Sequence, residues 1–284
     1  MEQLAYLIWT NDGFRPAEES TSSLLAADSW LVKDGLANES SRHRERFRQA
    51  CSRIAGVDPD GVDRFWSELA NAIPAVGTWF PRAELVLCEG TPVFGVRIRR
   101  APARLAEIRL IEWKRPDPRT QPRMKGPDLD LLGRIRNLAR EAGADDAILT
   151  TGTGLLLEGL TTSLMWWEGD TLCAPPLDLP ILPGVTREIV FELVRKAGVQ
   201  TACRSRTLAE VLECPIWAVN ALHGIRPVVE LVGATHPMKF HALTAKWQCA
   251  YEVNRTRFAA RPPAAAESAL PSGSCGGSNV SASD

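Results

Sequence analysis

Met124–Arg187 reads MKGPDLDLLGRIRNLAREAGADDAILTTGTGLLLEGLTTSLMWWEGDTLCAPPLDLPILPGVTR, and its reading decides the fold. Lys125 stands alone just before a helical pattern. Pro127 suits a first turn, Asp128 and Asp130 complement an N-terminal dipole, and Gly143 is a natural stop. Leu129, Leu132, Ile135 and Leu138 recur every three residues, so one apolar stripe and a helix over 127–142 are expected. Strands are expected over 147–151, 154–158 and 162–167. Gly152-Thr153-Gly154 reads as a hairpin turn, because a nucleotide loop would need a third glycine and a following helix. The apolar run Leu155-Leu156-Leu157 closes on Glu158. Leu182-Pro183-Gly184-Val185-Thr186-Arg187 then opens a helix running to about 197, whose first N–H groups favour an anion.

An amine, a strand-end carboxylate and an anion-binding turn are the three fixings that pyridoxal phosphate requires. Lys125, Gly143-Ala144-Asp145-Asp146-Ala147, Glu158-Gly159, Leu182–Arg187 and Asn220-Ala221-Leu222 together resemble the class IV aminotransferase family, the fold-type IV pyridoxal-phosphate enzymes. The resemblance is dense in the second half of the chain and thin in the first. It implies an α/β (α+β) two-domain fold like that of the D-amino-acid aminotransferases. It also implies that Lys125 carries the cofactor and is catalytic, and that Glu158 pairs with the ring nitrogen. Val185, Thr186, Asn220 and Ala221 would bind the cofactor as well. His43-Arg44-Glu45-Arg46-Phe47 is similar to the family's H-x-x-R-L segment, which maps the phosphate-binding arginine onto Arg46. A homodimer is carried over with the resemblance. Without it, Lys125 reads as a surface lysine, Glu158 as an exposed strand-edge acid and Thr186 as a helix cap.

Within that family, Asn220-Ala221-Leu222 and the 33 positions between Lys125 and Glu158 are similar to the lyase members. The expected reaction is therefore conversion of 4-amino-4-deoxychorismate to 4-aminobenzoate and pyruvate, a step of folate biosynthesis. An aminotransferase acting on a branched-chain or D-amino acid is the second reading. A non-catalytic cofactor-binding relative is the third. It is suggested by Asp128 and Ser163, which stand where the family carries asparagines, and the aminotransferases' ring-contacting tyrosine is missing near Leu129. The glycine-rich loop that often supplies a carboxylate-binding arginine is not recognisable. Arg226 and His223 have two readings, a pair facing an anionic substrate and a solvated strand-end pair.

The 284 residues suit two domains of about 150 each. The expected division is a small α+β unit over 1–113, a linker over 114–124, a larger cofactor-binding unit over 125–258 and a disordered tail over 259–284. Lys114–Arg123 holds three prolines and cannot form a regular helix or central strand. From Ala259 the composition falls to Ala, Pro, Ser and Gly. In the first unit, strands are expected at 3–10, 29–32, 83–88, 93–99 and 105–113. Helices are expected from Ser40 or Ser41 and over 61–73, and a last helix over 239–252. A net charge of −1 makes no case for nucleic acid or membrane, and Arg97, Arg99, Arg100 and Arg104 read as a solvated strand and turn. Seven scattered cysteines without metal-ligand spacing fit a reducing cytoplasm. The expected partner is a small amine or amino-acid substrate, with no metal.

Overall fold

A computed structural model describes residues 3–10, 12–18, 23–235 and 237–258; the expected tail lies outside them. The first unit runs β1 (Gln3–Thr10), β2 (Gly13–Pro16), β3 (Ser23–Ser29), β4 (Val32–Lys33), β5 (Leu36–Ala37), α1 (Ser40–Cys51), α2 (Pro59–Ala72), β6 (Thr78–Trp79), β7 (Arg82–Cys88) and β8 (Thr91–Arg99). Five of these strands form an antiparallel sheet in the order β2-β1-β8-β7-β3. Phe47 of α1 and Phe65, Trp66 and Leu69 of α2 pack with Ala26, Leu85 and Val96 from the sheet. Asp58 caps α2 by accepting from Asp60 N–H.

The sequence-expected strand over 29–32 is displaced: β3 ends at Ser29 and β4 starts at Val32. Trp30 and Leu31 are both buried at the corner between them, so no in-and-out alternation marked the break. Neither Ser40 nor Ser41 caps α1; Glu39 precedes it in the left-handed region at φ 45°, with no side-chain bond.

The second sheet is built from β9 (Ile108–Glu112), β10 (Asp146–Thr150), β11 (Leu156–Gly159), β12 (Ser163–Glu168), β13 (Thr171–Ala174), β14 (Gln200–Cys203), β15 (Ile216–Asn220) and β16 (Gly224–Leu231). Their order is β11-β10-β9-β16-β15-β12-β13-β14. Gly159 N–H donates to Thr162 C=O at 2.8 Å, which draws edge strand β11 alongside β12 and curls the sheet. Successive residues of β12 part to opposite faces. Leu164 and Trp166 enter the interior with Ile108, Leu110 and Val228, while Met165 and Trp167 pack outward.

Ile108–Glu112 was expected to close the first unit. Instead β9 runs parallel to both β10 and β16 in the second sheet. Ile108 and Leu110 fill one face and Ile111 packs on the other, as a parallel strand covered on both sides requires. The segment from 113 to 128 therefore leaves and re-enters the second unit.

α3 (Leu129–Glu141), α4 (Val185–Lys196), α5 (Leu208–Leu212) and α6 (Thr244–Val253) cover the second sheet, and β17 (Thr256–Arg257) returns to pair with β5. The stripe expected on α3 does not hold, since Leu138 is exposed and Ile135 and Ala139 are buried. At about 100° per residue a three-residue step falls about 60° short of a full turn, so after three steps the side chain faces the other way. α6 begins later than expected because the residues before it are engaged elsewhere. Lys239 reaches Glu213 at 3.1 Å, and the His241 ring stacks 3.8 Å from Trp167. No helix among the described residues is long and apolar enough to cross a membrane.

The two units meet where Ala27 N–H donates to Lys125 C=O at 2.8 Å. The next residue, Gly126, has φ +142°, and a Cβ there would lie 2.7 Å from Ala26 Cα. Gly126→Ala should therefore destabilise the chain by about 1–3 kcal/mol. Gly133→Ala on α3 meets open space and should stabilise it by up to about 1 kcal/mol. Urea denaturation of the two variants reads both signs, and equal midpoints would refute the contrast.

Candidate active site

A cavity of about 350 Å³ opens between the two sheets. Lys125 reaches it from the segment held against β3, and is half-buried. Burial pushes its ammonium down to about 8, Arg46 pushes the same way, and Asp28 opposes them. The amine is thus a base and nucleophile at a pH where an exposed lysine is fully charged.

Glu158 lies at the end of β11, buried at the cavity wall. Its Oε1 accepts from Leu182 N–H at 2.8 Å and from the Arg119 guanidinium. Burial dominates all the same and raises its carboxyl to about 7, with Arg119 pulling the other way. Arg119 comes from the segment read as a linker. It spans both oxygens of Asp117 and donates to Pro180 C=O at 2.8 Å.

A third corner is built to receive an anion. α4 starts at Val185 with Gly184 as its N-cap and no side chain on its first N–H groups. A Cβ on Gly184 would lie 2.3 Å from Ser163 Oγ, so only glycine lets that hydroxyl approach the helix end. Arg46 closes the corner from α1. It forks onto both oxygens of Asp28 at 2.7 and 2.9 Å and donates to Pro183 C=O at 3.2 Å. His43 Nδ1 lies 2.7 Å from Asp28 Oδ1. Burial alone would raise Asp28, but Arg46 and His43 outweigh it and hold the carboxyl well below the usual range. Val185, Thr186, Asn220 and Ala221 all line the cavity. Both ends of the Asn220 side chain hold the turn, donating to Thr161 C=O at 3.2 Å and accepting from His223 N–H at 2.8 Å.

Arg226 is not part of the cavity wall. It is fully buried on β16, and among the described residues none of its three guanidinium nitrogens meets an acceptor. Its neighbour Ile225 packs toward α4 and α6, so the alternation of the strand turns Arg226 to the sheet interior. His223 does line the cavity, but burial and then Arg226 push its imidazole down to about 3, so it is neutral. Its Nδ1 accepts from Leu105 N–H at 3.1 Å.

Of the arginines read as a solvated strand and turn, Arg100 and Arg104 are exposed, but Arg97 lies on buried Glu84 at 2.6 Å and Arg99 lines the cavity beside Arg82. Arg136 of α3 joins the wall from the other side. Each of the three wall arginines is anchored by Nε: Arg82 on Glu84 at 2.5 Å, Arg99 on Phe80 C=O at 3.2 Å, and Arg136 on Asp145 C=O at 3.0 Å. Among the described residues, none of their terminal nitrogens takes a hydrogen bond.

The sequence profile of the class IV aminotransferases matches residues 26–231. The chain belongs to this family. Similar proteins include the aminodeoxychorismate lyase of Bacillus subtilis, 26% identical over 117 residues and aligned over 40% of each chain. The bifunctional aminodeoxychorismate lyase / D-amino acid transaminase of Mycobacterium tuberculosis is 32% identical over 96 residues, 31% of this chain and 33% of that one. The chain thus aligns with well under half the length of these relatives. Among solved structures, a hypothetical aminotransferase from Mycobacterium tuberculosis superposes with a TM-score of 0.75 at 21% identity, covering 87% of this chain and 98% of that one. The fold is that of the fold-type IV aminotransferases, and the chain is an enzyme of a family that works with pyridoxal phosphate.

The residues present fit that cofactor. The open N–H groups at the start of α4, with Arg46 beside them and the Ser163 hydroxyl against Gly184, suit a phosphate. Glu158 suits a ring nitrogen, and Lys125 an aldehyde. Sequence reading missed Arg119, Asp28, Arg82, Arg99 and Arg136. Asp117-x-Arg119, set among prolines six residues before Lys125, was the one local signal of a built turn.

The modification rate of each lysine against pH, read by peptide mass spectrometry on the cofactor-free chain, should place Lys125 half-maximal near 8. Exposed lysines should lie near about 10.4. Arg46→Ala should raise the Lys125 midpoint, because it removes the strongest repelling cation and frees Asp28 from its arginine partner.

Proposed function

We propose that this chain is a pyridoxal-phosphate-dependent lyase that converts 4-amino-4-deoxychorismate to 4-aminobenzoate and pyruvate. The observation that carries the reading is the trio Arg82, Arg99 and Arg136 on the cavity wall, each anchored by Nε and, among the described residues, with no hydrogen bond from its terminal nitrogens. Guanidinium forks match carboxylates, and this substrate has two. An aliphatic amino acid has one carboxylate and would leave most of these guanidinium ends without a ligand anion. The Asn220-Ala221-Leu222 turn and the similarity to the Bacillus subtilis lyase support the same reading.

Arg46, Thr186, Val185 and the adjoining N–H groups would hold the phosphate, with Asn220 and Ala221 beside it. Glu158 would face the ring nitrogen. Bound there, pyridoxal phosphate supplies an aldehyde that takes up the substrate amine and a ring that stores the electron pair released with a proton. Lys125, freed by the arriving amine, takes that proton from the substrate carbon bearing nitrogen. Its lowered proton affinity means that an appreciable fraction is neutral near pH 8. The carbon–oxygen bond to the enolpyruvyl group then breaks, pyruvate leaves with a proton returned, and the substrate ring becomes aromatic. Nitrogen stays with the product, so no keto acid is consumed. His223, neutral at the wall, is read as a shape-setting neighbour and not as a carboxylate partner. A homodimer and a cytoplasmic setting go with the reading, and the six described cysteines are all free.

The second reading, an aminotransferase, is favoured by the bifunctional name of the mycobacterial relative. Incubation with 4-amino-4-deoxychorismate and no keto acid separates the two. Pyruvate and 4-aminobenzoate should accumulate in equal amounts over many turnovers, and borohydride should fix the cofactor on the peptide containing Lys125. If neither product forms, while an amino acid bleaches the bound cofactor and a keto acid restores its colour, the aminotransferase reading stands instead.

A further inference from the structure

The segment Asp117–Asp128 does more than deliver a lysine. Arg119 is only 4% exposed, and each of its nitrogens is committed. Nε and Nη2 fork onto Asp117 at 2.9 and 2.7 Å, Nη2 also donates to Pro180 C=O, and Nη1 donates to Glu158 Oε1. The neighbouring backbone is locked as well. Asp128, buried at the start of α3, accepts from Thr120 N–H at 3.1 Å, Thr120 Oγ1 at 2.9 Å and Gln121 N–H at 2.9 Å. A guanidinium held on every edge cannot swing aside when a ligand arrives.

We infer that Arg119 is a positioning residue: locked by Asp117 and the Pro180 carbonyl, it fixes Glu158 at the cavity wall and favours its carboxylate form. The consequence for the cofactor rests on the reading that Glu158 faces the ring nitrogen. A carboxylate there accepts a proton-bearing nitrogen and keeps the ring an electron sink, whereas a neutral carboxylic acid would donate its own proton to a bare nitrogen.

The charge balance around Glu158 is simple. The titratable groups that face it are Arg119 and Asp117, and the Pro180–Leu182 run contributes only backbone. Burial and Asp117 favour the neutral acid, while Arg119 is the largest influence against it. Glu158 already sits near 7, so losing one adjacent cation is enough to make it neutral across the physiological range. Arg119 therefore decides the protonation state by charge, with its hydrogen bond as the lesser part.

Arg119→Lys and Arg119→Gln test this, since both side chains can hydrogen-bond and only one is charged. The Glu158 carboxyl is titrated in the full-length, cofactor-free chain by carbon-13 NMR with labelled glutamate, the signal being assigned by its loss in Glu158→Gln. The midpoint should lie near 7 in the parent and close to that in the lysine variant. In the glutamine variant it should rise by about one unit or more, a tenfold or greater gain in proton affinity. Equal midpoints in two folded variants would overturn the inference. Nitrogen-15 NMR of the loaded chain with ring-labelled pyridoxal phosphate separates this result from the underlying reading. A bare ring nitrogen in the glutamine variant is expected. If the carboxyl midpoint moves and the ring nitrogen does not, Glu158 does not face that nitrogen, and the reading of Glu158 fails while the role of Arg119 stands.

Discussion

One backbone hydrogen bond, Ala27 N–H to Lys125 C=O, sets the geometry of the whole site. It needs the chain to touch β3 so closely that Gly126 can carry no Cβ. The contact propagates through the residue after Ala27. Asp28 holds His43 and Arg46, and Arg46 reaches the Pro183 carbonyl beside the opening turn of α4. Ser163 completes the path by lying against Gly184. Lysine and anion corner thus share one short sequence of contacts through the first sheet. Neither is held by a long side chain searching in solvent.

The ionisable groups of the cavity are governed by one competition, burial against the number of opposite charges in reach. Asp28 has the Arg46 guanidinium and a hydrogen bond with His43, and together they overcome burial. Glu158 has a single arginine and an opposing aspartate, and burial prevails. Lys125 has more cations than anions around it, so burial and repulsion act together. Among the described residues Arg226 has no hydrogen-bond partner, and burial, against the more distant pull of Asp146, brings it down to about 10. The same desolvation therefore yields a fixed anion, a poised acid, a poised base and a buried structural cation, according to the company each keeps.

The parts legible in sequence were those whose signals are local. The helix after Lys125, its stop at Gly143, the hairpin at Gly152-Thr153-Gly154 and the strand closing on Glu158 each follow from neighbours within a few residues. The sheet that β9 joins is a long-range choice, and its apolar alternation suits either unit. Arg99 read as surface charge, and Arg82 went unread, because an arginine in a strand looks the same whether it faces water or a cavity wall. Arg119 was hidden by its prolines, which argued correctly against helix and strand but said nothing about burial. Arg226 is the third residue after the turn that made it look like an end group, and the alternation of β16 turned it inward.

The path of the chain through β9 has a consequence for how this enzyme could have diverged. Arg119, Lys125 and Glu158 all belong to the second sheet or to the excursion that leaves and rejoins it, whereas Arg82 and Arg99 belong to one hairpin of the first. Two of the three arginines read as recognising carboxylates are thus encoded apart from the lysine and its acid, while the third, Arg136, lies between them on α3. Mutations confined to the β7–β8 hairpin can retarget the enzyme while the lysine, its acid and the arginine behind that acid are inherited intact.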